Sequence, residues 1–148
     1  MSRSETLFGY LALIADKKGD TYQAALFIVN LKAYPMNYVV TEPITITPLQ
    51  KSLYGDTLEK YLVNELCGEK LIEKIESPPS IIFVQDEKFL DLSSKINIPM
   101  VKISKETKKD TSIDEQTITS PDLKKALKSY LAQMDVSEPF DRIKKVIT

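Results

Sequence analysis

The chain has 148 residues, 43% of them hydrophobic, and a formal net charge of −1, which suits a single globular domain with its own core over 1–148. Its twenty Lys and Arg are balanced by twenty-one Asp and Glu, so composition supplies no broad basic field for a long duplex or an anionic membrane. With no histidine and one cysteine, imidazole-based triads, His-ligated zinc and an internal disulfide are excluded; polar chemistry falls to carboxylates, lysine, tyrosine and hydroxyls.

The first apolar run, Leu7 to Ala15, is interrupted by Gly9 and Tyr10 and lacks a cleavage pattern. It reads as a strand and not as a signal peptide. No apolar stretch reaches membrane-spanning length, and a cytoplasmic location is expected. After the charged turn Asp16–Asp20, the run from Tyr22 to Leu31 completes a predicted β-hairpin. A turn at Tyr34-Pro35-Met36-Asn37 then leads to β-branched residues around Tyr38–Thr41 and Ile44–Ile46, with Pro43 marking an edge, a bulge or the end of pairing. Three antiparallel strands in a meander are expected.

Thr47-Pro48-Leu49-Gln50 has the form of a capping box with proline at the first helical position. Gly55-Asp56 is expected to interrupt the helix, which resumes through Leu66. At about 100° per residue, Glu65 falls among Leu58, Tyr61, Leu62 and Leu66. It reads either as a partly buried helix carboxylate or as a glutamate at the edge of the stripe reaching water. Cys67 reads as a small core residue.

Ile81 to Val84 is four apolar residues without alternation, as in a strand covered on both faces, and it delivers Asp86 and Glu87 at its carboxyl end. Asp86 is a candidate metal ligand or general base, and equally a residue capping the next turn. A short segment around Phe89–Leu92 precedes another strand, Ile98 to Ile103. The stretch 105–120 is a polar loop. Ser120-Pro121 opens an amphipathic helix with Leu123, Ala126, Leu127, Tyr130, Leu131 and Met134 at helical spacing, and a last helix begins near Glu138. The lysines of these C-terminal helices, which together span 121–148, read as a solvated face.

This order of elements resembles the ribonuclease H-like fold: an antiparallel meander continued by parallel strands, with helices on both faces. The local likeness is to endonuclease V and the nuclease domain of the UvrC excision protein. Pro79-Ser80-Ile81-Ile82-Phe83-Val84-Gln85-Asp86 is similar to the family's strand ending in an aspartate, and Ile98-Pro99-Met100-Val101-Lys102-Ile103 to the strand that follows. The resemblance implies phosphodiester cleavage with Mg²⁺ ions roughly 4 Å apart, held by carboxylates from several elements. It places Asp86 in that set, with Glu65 and Asp16 as the other carboxylates on offer. The family's first-strand aspartate lies well inside the strand, where this chain has Tyr10, Leu11, Ala12, Leu13 and Ile14. Two functions are therefore expected: a non-catalytic binding or assembly module on a degenerate nuclease-like fold, or a Mg²⁺-dependent nuclease. The partner is a protein or a nucleic acid, and the sequence leaves oligomeric state open.

Overall fold

The structure is a computed structural model that describes residues 6–16, 20–66, 71, 73–75, 78–85, 89, 98–103, 121–133 and 138–147. Among these, one mixed sheet of six strands forms the centre: β1 (Phe8–Ala15), β2 (Thr21–Val29), β3 (Pro35–Val40), β4 (Ile44–Thr45), β5 (Ile81–Val84) and β6 (Met100–Lys102). The spatial order is β3-β2-β1-β5-β6, with β4 also pairing β2. β1, β2 and β3 are antiparallel, whereas β5 lies parallel to β1 and β6 parallel to β5. The expected meander continued by parallel strands is the architecture observed.

Two local details differ from the sequence expectation. The turn after β2 lies at Asn30–Tyr34, ahead of the Pro35 turn expected. Asn30 Oδ1 accepts the backbone N–H of Lys32 (2.9 Å) and of Tyr34 (3.1 Å), and Ala33 adopts a positive φ of 64°. Pro35, which has no amide to donate, becomes the first residue of edge strand β3. The second detail is the two-residue β4. After β3, the buried Thr41 binds Ala24 twice: its N–H donates to the Ala24 carbonyl (2.9 Å), and its Oγ1 accepts the Ala24 N–H (2.9 Å). The chain then passes Pro43, and β4 meets Thr21 and Tyr22 of β2.

Among the described residues there are four helices, α1 (Pro48–Tyr54), α2 (Leu58–Leu66), α3 (Pro121–Gln133) and α4 (Glu138–Ile147), of which α2, α3 and α4 pack on the sheet. The Thr47 capping box is formed, with Gln50 N–H to Thr47 Oγ1 at 3.1 Å and Thr47 N–H to Gln50 Oε1 at 2.8 Å. Gly55, at φ 54°, ends α1, and one turn of 3₁₀ helix, Gly55–Thr57, leads into α2. The sheet separates two cores. On one face Leu11, Leu26, Ile28, Ile82 and Val84 pack with Leu58, Leu62 and Val63 of α2. On the other, Phe8, Tyr10, Phe27, Ile81 and Phe83 pack with Leu127 and Tyr130 of α3 and Phe140 and Ile143 of α4. All four residues of β5 are buried, as expected of a strand covered on both faces. No described helix is long and apolar enough to cross a membrane.

Candidate functional site at the carboxyl ends of the parallel strands

β1 has eight residues and β5 has four, so the two run together only over Phe8↔Ile81, Gly9↔Ile82 and Tyr10↔Phe83. Beyond Tyr10 the strands part. Leu11, Ala12, Leu13 and Ile14 of β1, with Gln85, Phe89 and Lys144, line a cavity of about 260 Å³ there. Crevices at the carboxyl ends of strands are where open α/β sheets place their ligands.

Below this crevice lies a closed aromatic layer. Tyr10 Oη and Tyr130 Oη are 2.6 Å apart and both side chains are buried. Phe8 meets the Tyr130 ring edge-on at 4.6 Å, Phe140 meets Tyr10 edge-on at 5.2 Å, and Phe83 stacks on Tyr130 at 6.1 Å. Such ring pairs each contribute about 0.5–1.5 kcal/mol beyond area burial. Burial pushes the Tyr10 hydroxyl pKa far up, with Tyr130 adding to the shift; burial also raises Tyr130. Both phenols are therefore neutral, each the other's hydrogen-bond partner. Beside them Arg142 binds Glu138 through Nε (2.8 Å) and donates from a terminal nitrogen to the Ala33 carbonyl (2.9 Å), fastening the β2–β3 turn to α4. Glu138 raises the Arg142 pKa further, so that guanidinium remains charged.

Of the carboxylates singled out from sequence, Asp16 and Glu65 lie among the described residues. Asp16 follows β1 at an exposed position, and its Oδ1 accepts the backbone N–H of Asp20 (3.0 Å) and Thr21 (3.2 Å), closing the β1–β2 turn. Glu65 is exposed on α2. Of the two readings of Glu65, its exposure fits the glutamate at the stripe's edge: the helix turns Leu58, Leu62 and Val63 inward, leaving Tyr61 and Glu65 outside. Asp86, Glu87, Cys67 and the loop 105–120 lie outside the described residues. Among the described residues, no group of three or more His, Cys, Asp or Glu is placed to hold a metal ion. The donor set that Mg²⁺ prefers, several converging oxygens, is thus not met by the described residues. The interior of β1, where the resemblance implies an aspartate, carries Tyr10 in its hydroxyl pair.

Sequence reasoning did not single out Gln85, Phe89 or the Tyr10–Tyr130 pair; it placed Lys144 on a solvated face, and Lys144 is exposed while lining the crevice. The one available signal for the crevice was the mismatch in length between the first apolar run and the run at Ile81–Val84.

No protein-family model matches the sequence, and no curated protein matches it. The structure is similar to endonuclease V from Bacillus subtilis (13% identity, TM-score 0.43, covering 68% of this chain and 44% of that one). It is also similar to endonuclease V from Ciona intestinalis in complex with a 24mer DNA containing an inosine followed by a ribo-adenosine (10% identity, TM-score 0.44, 97% of this chain and 57% of that one). Argonaute from Marinitoga piezophila, in complex with a guide RNA, is similar at 14% identity and TM-score 0.34, over 68% of this chain and 16% of that one. The chain spans about half the length of the endonuclease V structures it matches.

Proposed function

We propose that this chain is a non-catalytic binding or assembly module built on a nuclease-like arrangement of strands, with the crevice between β1 and β5 as its binding site. The observation that carries this reading is the Tyr10–Tyr130 pair. A metal-dependent phosphodiesterase needs charged oxygens converging at the central strands. At that depth of β1 this chain has a neutral phenol, satisfied by a second phenol and walled by Phe8, Phe83 and Phe140. Charge at that position would be costly, because the surroundings supply ring carbons. The crevice above it is lined by four aliphatic side chains and one ring together with one amide and one amine, so it offers both apolar and polar surface to a partner. The near-neutral net charge favours a protein partner over a long duplex.

The test is thermal melting of the wild type and Asp86→Ala in the presence and absence of Mg²⁺ or Mn²⁺, followed by incubation with single-stranded, duplex and branched nucleic acid. A metal bound only by the folded state raises the midpoint by mass action. The module reading expects equal midpoints with and without metal for both proteins, and intact substrates. A rise with Mn²⁺ in the wild type that Asp86→Ala abolishes, accompanied by cleavage, replaces it with the nuclease.

A further inference from the structure

Among the described residues, no strand pairs with β1 along the crevice. Direction along a strand alternates, and two hydrogen bonds fix the phase here. The Asp16 N–H donates to the Thr21 carbonyl across the β1–β2 turn, while the Leu7 carbonyl accepts the Ser80 N–H on the β5 side. Even-numbered residues of β1 therefore turn their N–H and C=O toward β2, and odd-numbered residues turn theirs toward β5. Pairing with β5 ends at Tyr10↔Phe83. Among the described residues, the Leu11 carbonyl and both the N–H and the C=O of Leu13 then face the crevice with no strand beside them.

Leu13 is half-buried, and a backbone donor and acceptor in that position call for partners. The side chains on either hand are apolar. Leu11 and Leu13 pack with Phe89 in one core, and Ala12 and Ile14 with the other. The sheet's outer edge at β3 is blunted by contrast. The Tyr38 backbone N–H turns away from β2 and is taken by Asn37 Oδ1 at 2.8 Å, while Pro35 offers no donor at all. An N–H and a C=O from one residue, flanked by alternating apolar side chains, are complementary to one kind of ligand: another extended backbone.

We infer that the crevice between β1 and β5 takes an extended polypeptide segment of a partner protein, which pairs with the open edge of β1 at Leu11–Leu13. This deepens the binding-module reading and rests on it. The inserted strand continues the sheet where β5 leaves off, and its side chains alternate between the Leu11–Phe89 side and the Lys144 side.

The experiment selects a displayed library of random linear peptides against the full-length chain and measures the retained peptides on the wild type and Leu13→Pro. Of the backbone donors of β1, proline at this position removes a crevice-facing one and none to β2, because the donors to β2 come from even-numbered residues. Amide hydrogen exchange at Leu13 is followed in the wild type, alone and with peptide, so the test stands even where Leu13→Pro fails to fold. The expected result is about tenfold weaker binding to Leu13→Pro, the effect of losing one backbone hydrogen bond of about 1.4 kcal/mol. The Leu13 amide should exchange fast in the free protein and slowly with peptide. Peptides that bind both proteins equally, or leave Leu13 exchange unchanged, overturn this inference and leave the binding-module reading standing. Retention of no peptide also overturns it. The metal-dependent melt decides the broader reading independently.

Discussion

Tyr10 Oη and Tyr130 Oη lie 2.6 Å apart, although 120 residues separate them in the chain. The pair joins the central strand to α3 through two polar atoms that meet inside a ring-lined core. Removing either hydroxyl strands the other. Tyr10→Phe and Tyr130→Phe should each cost about 1–3 kcal/mol, the cost of a buried polar group left without its partner. The double variant should cost clearly less than the sum. A double-mutant cycle in urea reads the coupling, and additive costs would mean that the hydroxyls act independently.

The same pair sets an alkaline limit. Burial raises both phenols above their ordinary pKa near 10, so both tyrosines keep their protons in the folded state when the unfolded chain releases them. The stability they contribute is complete below about pH 10 and declines above it, by about 1.4 kcal/mol per pH unit for each proton retained. The midpoint of wild type should fall more steeply above pH 10 than that of the Tyr10→Phe/Tyr130→Phe protein. Parallel curves would show that other groups govern the alkaline transition.

Gly9 is the point of closest approach on the opposite face of β1. A Cβ there would stand 3.0 Å from Pro79 Cγ, 3.2 Å from Leu26 Cδ1 and 3.3 Å from Ile82 Cγ1. Gly9→Ala should destabilise by about 1–3 kcal/mol through overpacking. Because the shortest contact is to a proline ring, adding Pro79→Ala should recover part of that loss, which denaturant melts of the single and double variants will measure.

Thr41 does the work of a strand where β3 has ended. Thr41→Val preserves the shape of the side chain and removes the acceptor of the Ala24 N–H, which lies in the core. The expected cost is about 1–3 kcal/mol. Thr41→Ser, which keeps the hydroxyl and loses only the methyl group, should stay closer to wild type, and a Thr41→Val protein as stable as wild type would show that the hydroxyl contributes nothing.

Much of this architecture was legible in the chain. The four-residue run Ile81–Val84 announced a strand buried on both faces because nothing polar interrupts it, and Thr47 with Gln50 announced a helix start because the box is a local device. The β2–β3 turn was misplaced because Pro35 is a conspicuous turn residue, whereas the turn is held by one amide side chain, that of Asn30, together with a carbonyl bond from distant Arg142. The β-branched Ile44-Thr45-Ile46 favoured a strand, but two residues carry no periodicity to show that β4 pairs with β2. The tyrosine pair was illegible for a different reason. An aromatic residue in an apolar stripe reads as core, and no local pattern reveals that its hydroxyl will meet another hydroxyl across the fold. The setting of Glu65 turned on which way a short helix faces, and a nine-residue stripe interrupted by Val63 did not determine that direction.

The sheet also divides the chain by distance. Strands β1, β2 and β3 find one another within residues 8–40, through two turns, whereas Phe8 meets Ile81 about seventy residues further along. Closing that loop costs more chain entropy than closing either turn of the meander, so the local strands pair first. The meander is thus the natural nucleus, with β5 and β6 docking onto it late. Substitutions such as Ala25→Gly in β2 should chiefly slow refolding, while Ile82→Val in β5 should chiefly speed unfolding. The three-stranded half of the molecule sets how fast the chain folds, and the parallel half sets how long it stays folded.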